Sequence, residues 1–247
     1  MTVVYLAAAR IGKTRWDECL AKQPAPALLC SYIYYRDVKP WLQGERGHVR
    51  EWVLDSGAFT AKQAGIEIRV EDYIEFCLSL RQTQRPPTAV FALDVIGDWE
   101  ASLRNTEAMW KAGVEAIPCW HAGEPEEVLV EMCRQYPRIA VGGTVGMHVK
   151  HRRSLFDAVF AKVWPTRIHG FGVHTEELLS RYPFDSVDSS SWNAGQQYGR
   201  WKSLGDLDTP WLRTGHKFRG EVEYWLGVEV RLQARWKAQM AQVRGTR

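Results

Sequence analysis

A TIM-type (β/α)8 barrel is the fold this sequence predicts, on three observations. Eight short apolar runs alternate with amphipathic ones along the 247 residues, and most are bounded by Gly, Pro or Asp. No Gly-x-Gly-x-x-Gly stretch opens a helix, which weighs against a doubly wound dinucleotide fold, the other α/β solution. Polar residues capable of chemistry follow one apolar run after another, which is where a barrel places its active site.

The predicted strands span residues 3–7, 28–34, 52–54, 90–95, 115–120, 139–142, 168–173 and 184–188. Between them, residues 70–80 place Val70, Tyr73, Ile74, Cys77 and Leu78 at i, i+3, i+4 spacing, the mark of a helix with one buried face. Residues 99–111, 125–135, 155–163 and 176–181 behave in the same way. Pro125 suits a first helical turn, because its missing N–H would be unpaired there, and the acids after it suit the positive end of the helix dipole. After Trp192 the alternation fades, and residues 222–243 read as one long helix, broken or weakened near Gly227. The expected organisation is a catalytic barrel over residues 1–195 and a basic extension packed on it over 196–247.

The composition, 45% hydrophobic and 25% charged, is that of a globular chain, with no apolar run long enough for a membrane span. Residues 1–10 lack a basic leader and read as a first strand rather than a signal peptide. Five scattered cysteines form no C-x-x-C pair, so neither a zinc site nor a disulfide framework is expected, and the expected compartment is the reducing cytoplasm. The net charge of +3 is unevenly spread. Residues 196–247 hold ten Lys/Arg against five Asp/Glu, a net +5 that leaves −2 for the rest. Five of the twelve tryptophans lie from Trp192 onward. Such a segment fits a nucleic-acid surface, where Lys217, Arg219, Arg231 and Arg235 would meet phosphates. It fits equally a solvated charged face with tryptophans in the core.

The strand ends carry Asp55 in Asp55-Ser56-Gly57-Ala58-Phe59, Asp94 after Leu93, His121 after Trp120, the pair Gly142-Gly143, Gly170-Phe171-Gly172, and Asp185-Ser186-Val187-Asp188. Alternation along a strand sends Asp185 and Asp188 to opposite faces, so one can enter a site while the other anchors the strand. Each residue alone also fits a capping or turn role. Three aspartates with no metal-ligand cluster favour covalent or acid–base chemistry, such as a carboxylate attacking a sugar anomeric carbon. Gly142-Gly143 would let a flat ring approach the backbone, and Asp94 could accept from a purine N–H edge. Phe59, Trp120 and Trp192 are candidates for stacking or water exclusion, with core packing the alternative.

In this order, over residues 52–192, Asp55-Ser56-Gly57-Ala58-Phe59, Leu93-Asp94, Ala122-Gly123, Val141-Gly142-Gly143-Thr144-Val145-Gly146, Gly170-Phe171-Gly172 and Asp185-Ser186-Val187-Asp188 resemble the tRNA-guanine transglycosylase superfamily. The resemblance implies a (β/α)8 barrel that exchanges guanine in a polynucleotide for a 7-deazaguanine through a covalent glycosyl–enzyme intermediate. It implies Asp188 as nucleophile, Asp55 as general acid/base, and Asp94, Gly142 and Gly143 as base-binding residues. His121 stands about where the family has a base-reading glutamine. The tRNA enzymes carry a zinc-binding C-x-C-x-x-C…His subdomain after the nucleophile, whereas no cysteine follows Cys133 here. In this respect the chain looks like the compact phage-type 7-deazaguanine DNA transglycosylases. The expected partners are therefore DNA, with tRNA the alternative, and free guanine and 7-deazaguanine (preQ0-like) bases, with no cofactor or metal. A phage-encoded enzyme of this kind would act in the host cytoplasm. A barrel that binds nucleic acid without catalysis is the remaining alternative.

Overall fold

A computed structural model describes residues 2–8, 25–36, 49–192 and 214–245, with side chains of the last helix described from 219 to 241. Eight parallel strands form one sheet: β1 Val3–Ala8, β2 Ala27–Ser31, β3 Glu51–Asp55, β4 Ala89–Val90, β5 Cys119–His121, β6 Arg138–Gly142, β7 Arg167–Gly170 and β8 Ser186–Ser189. Their order is β4-β3-β2-β1-β8-β7-β6-β5, and β1 pairs with both β2 and β8. A parallel bridge between Phe91 and Ile117 joins the two outer strands, so the sheet closes on itself. Helices alternate with the strands, and the fold is the expected (β/α)8 barrel.

Both faces of a barrel strand are covered, which is why these strands read as nearly continuous apolar runs. Inward residues recur with period two: Tyr5, then Ala27 and Leu29, then Val53, Phe91, Cys119 and Ala140, and together they fill the barrel. The residues between them, among them Leu6, Leu28, Leu54, Val141 and Ile168, face outward against the helices.

The helices are α1 Tyr32–Tyr35, α2 Ala58–Ala64, α3 Val70–Leu80, α4 Trp99–Lys111, α5 Glu126–Gln135, α6 Val149–Val163, α7 Glu176–Arg181 and α8 Thr214–Gly245. The spacing-based bounds of α3, α4 and α7 match. Pro125 precedes α5 as its N-cap. α6 starts six residues before the expected 155, because the His148 side chain accepts from the Lys150 N–H and opens the helix within a run of basic residues.

β7 ends at Gly170, three residues short of the expected 173, and β8 begins two residues later than expected, at Ser186; three further strand bounds differ for a physical reason. Residues 28–34 read as one strand, but the chain turns helical at Tyr32, whose ring packs against Tyr73 and Phe76 of α3. Residues 90–95 leave the ladder after Phe91, and α4 takes over their backbone groups: Ser102 Oγ accepts from Val95 N–H and Asn105 Nδ2 donates to Leu93 O. Residues 115–120 are split at Pro118, which has no N–H to give a ladder.

α8 runs unbroken past Gly227, where a weakening was expected. It docks by burying Val222, Trp225, Val228 and Leu232. Glu229 of α8 accepts from the Val4 N–H at 2.8 Å and pairs with both terminal nitrogens of Arg50. Trp236 donates to Leu179 O, and Trp192, near the end of the barrel segment, donates to Ala7 O. These tryptophans therefore belong to the packing of the barrel. Among the described residues, no helix is long and apolar enough to cross a membrane.

Candidate active site

The inward register of the strands leads directly to a polar layer at their C-terminal ends. Asp55 lies two residues beyond inward-facing Val53, His121 two beyond Cys119, and Gly142 two beyond Ala140. Asp188 lies in β8, beside Tyr5 in the strand register. Asp94 joins them from the loop after β4, and Ser31 stands next to Asp55 in the β2–β3 register.

Asp55 is held by the turn that follows it. The Gly57 N–H donates to Asp55 Oδ2 at 3.0 Å, and Gly57 then opens α2 at φ +80°. A Cβ at Gly57 would stand 2.4 Å from Ser31 Oγ, so both its conformation and its space require glycine. Burial raises the Asp55 pKa from 3.8 to about 7. Asp94 and, less strongly, Asp188 add to this, while Ser31 and the Gly57 N–H act in the opposite direction. A carboxyl with a pKa near 7 can give and take a proton at neutral pH.

Asp94 accepts from Ser56 Oγ at 3.3 Å, and its other oxygen lies 3.0 Å from His121 Nε2. On the far side of the imidazole, Nδ1 lies 3.2 Å from Glu124 Oε1, and Glu124 Oε2 accepts from the His121 N–H. Burial disfavours the imidazolium, but Cys119, Asp94 and Glu124 outweigh it and hold the His121 pKa well above its ordinary value. His121 is thus a cation clamped between two carboxylates. Asp94, Cys119 and His121 also bring three possible metal ligands within 4.8 Å of one another. The His121–Asp94 contact is equally that of a charge-assisted hydrogen bond, which satisfies the pair without an ion.

Gly142, the last residue of β6, and Gly143 after it serve this clamp. A Cβ on Gly142 would lie 2.9 Å from His121 Cδ2 and 3.1 Å from Cys119 Sγ, so the flat ring that rests on this backbone is the protein's own imidazole. Gly143, at φ +73°, lies against the Ala122 backbone.

Asp185, just before β8, and Asp188 within it part company as alternation requires. Asp185 is 5% exposed and bonded to Arg167 at 3.0 and 3.1 Å and to Arg138 at 2.9 Å, residues that begin β7 and β6. It ties the N-terminal ends of three strands together. Asp188 is 8% exposed, and its Oδ1 accepts from the Gly172 N–H at 2.8 Å.

The other expected site residues fall around this centre or away from it. Phe59, on the first turn of α2, is 47% exposed. Trp120 and Trp192 are buried, and the Trp120 indole donates to Pro125 O. Arg231 pairs with Glu176 at 2.9 Å, and Arg235 lies over the Trp236 ring. Arg219 is partly buried in α8, and the Lys217 side chain lies outside those described. Single-residue inspection missed Ser31, Cys119 and Glu124. The period-two register from Leu29 would have found Ser31, and the i+3 spacing from His121 would have found Glu124.

No family model matches the chain, and no curated protein matches it significantly. Solved structures do match. A mutant tryptophan synthase alpha-subunit of Pyrococcus furiosus aligns at 16% identity and a TM-score of 0.55, over 92% of this chain and 97% of that one. A Coccidioides immitis protein described as a fructose-1,6-biphosphate aldolase aligns at 11% identity and a TM-score of 0.51, over 99% and 94%. At such identities the likeness is one of fold: the chain is a TIM-type barrel with a cluster of carboxylates at the C-terminal ends of its strands.

Proposed function

We propose that this barrel is a guanine transglycosylase that exchanges guanine in DNA for a 7-deazaguanine base through a covalent aspartyl–glycosyl intermediate. The observation that carries the reading is the convergence of Asp188 with Asp55, a carboxyl poised near neutrality, at the C-terminal ends of β8 and β3. One carboxylate can attack while the other handles protons.

A guanine stacked in a duplex hides its glycosidic carbon, so the nucleotide must be flipped or the strand opened. Asp188 then attacks C1′, the C1′–N9 bond breaks, and its electron pair leaves with guanine, which takes a proton from Asp55. The incoming 7-deazaguanine gives its N9 proton to the Asp55 carboxylate and attacks C1′, and Asp188 departs as a carboxylate. Atoms and charge balance with no water consumed. Asp94 keeps acceptor capacity beyond His121 and Ser56 for the purine N–H edge. The basic segment after Asp188 supplies cations for a polynucleotide backbone, and DNA is the polynucleotide we propose.

The test is incubation with labelled guanine and either DNA or tRNA. Label entering DNA is the expected outcome. Label entering tRNA alone would move the substrate to tRNA, and label entering neither would leave a barrel that binds without catalysing.

A further inference from the structure

Below Asp188 lies a histidine that the exchange reaction as described does not use. His169 is fully buried in the barrel. Its ring is fixed by Phe91 and Phe171, with centroids at 4.5 and 4.7 Å, and by Tyr5 at 6.3 Å. Nδ1 lies 2.8 Å from Ser186 Oγ, two residues before Asp188 on the same inward face of β8. Nε2 has no partner within hydrogen-bond geometry and faces Asp188 Oδ1 at 3.5 Å. A bare nitrogen lone pair aimed at a carboxylate oxygen would be repelled. The proton therefore belongs on Nε2, and Ser186 donates its hydroxyl hydrogen to Nδ1.

We propose that His169, with its tautomer set by Ser186, is a positioning residue for Asp188. The Gly172 N–H donates to Oδ1 and Nε2 faces the same oxygen at 3.5 Å, which leaves Oδ2 as the oxygen to attack C1′. In the ester that forms, Oδ1 becomes the carbonyl oxygen and keeps the same two donors. The 3.5 Å separation closes as the carboxylate settles into line for attack, as catalytic contacts do when they tighten around substrate. The inference rests on the proposed nucleophilic role of Asp188, and its test separates the two.

The test compares His169→Leu, His169→Gln and His169→Asn by the single-turnover rate of protein–DNA adduct formation, with thermal melts in parallel. The Gln amide can place a donor near Nε2, whereas the Asn amide reaches only toward Ser186. Removing a directed donor to a reacting oxygen lowers rates by about 100-fold, so the Leu and Asn variants should slow by about ten- to a hundredfold, with KM within about threefold of wild type. The Gln variant should recover most of the rate, and the melts read separately the cost of leaving the buried Ser186 hydroxyl unpaired in the Leu variant. A Leu variant that forms adduct at the wild-type rate, or Gln and Asn variants equally impaired, overturns the proposal. If the Leu variant does not fold, Ser186→Ala decides: slowed adduct formation supports the role, and a wild-type rate overturns it. Adduct persisting in Asp188→Ala would overturn the functional reading and this inference together. An adduct still on Asp188 in a full-speed His169→Leu variant would overturn the inference alone.

Discussion

Replacing Asp55 by Asn should stabilise the protein, and by an amount that grows with pH. In the fold the carboxyl is buried beside Asp94 and Asp188, and its pKa stands near 7 instead of 3.8. The folded state thus holds the Asp55 proton more tightly than the unfolded chain does. Its contribution to stability is complete below about pH 4 and is lost as the pH rises through about 7. About three pH units at 1.36 kcal/mol each set a ceiling of about 4 kcal/mol on what ionisation of this group removes. Asn has the same shape, keeps an acceptor for the Gly57 N–H and never ionises. Urea denaturation of both proteins should show a gap under about 1 kcal/mol at pH 4 and about 2–4 kcal/mol in favour of the variant at pH 8.5. The same variant should lose base exchange, a stability–activity exchange of the kind active sites show. Equal stability at pH 8.5, or a gap that does not change with pH, would mean that burial and like charge do not hold this carboxyl near neutrality.

Gly57→Ala should destabilise by about 2–3 kcal/mol, since it forces a Cβ into left-handed backbone and against Ser31 Oγ; a melting temperature equal to wild type would contradict this. Asp185→Asn should cost about 2–4 kcal/mol by leaving Arg138 and Arg167 facing a neutral amide, yet change adduct formation less than a few-fold; denaturation and single-turnover rates together check it. Removing the charges of Arg231 and Arg235 should weaken DNA binding and lower its salt slope by about 1 for each phosphate no longer neutralised. An unchanged slope would leave Arg231 as the partner of Glu176 and Arg235 as cover for Trp236.

How much of this was legible beforehand depended on whether a residue's role is local. α3 and α4 could be read to the residue because each has one buried face and a clear start, such as Asp98 accepting from Ala101 N–H at the head of α4. α2 could not, because its seven residues bury only Ala58 and Ala61 and its start is fixed by Gly57 meeting Ser31 from another strand. β4 and β5 were overextended because apolar content says nothing about which partner takes each N–H. The separation of Asp185 from Asp188 followed from period two alone. The His121 clamp did not, because its Asp94 half comes from a loop 27 positions away. Gly142 was foreseen as a place for a flat ring, but that the ring would be His121 is set by strand register.

Covalent catalysis by Asp188 is best tested by trapping the protein on a guanine-containing DNA strand, denaturing it, and mapping the attached residue. The expected product is a denaturant-resistant adduct on Asp188, lost in Asp188→Ala and released when 7-deazaguanine is added. An adduct on any other residue, or exchange that survives in Asp188→Ala, would contradict the nucleophilic role.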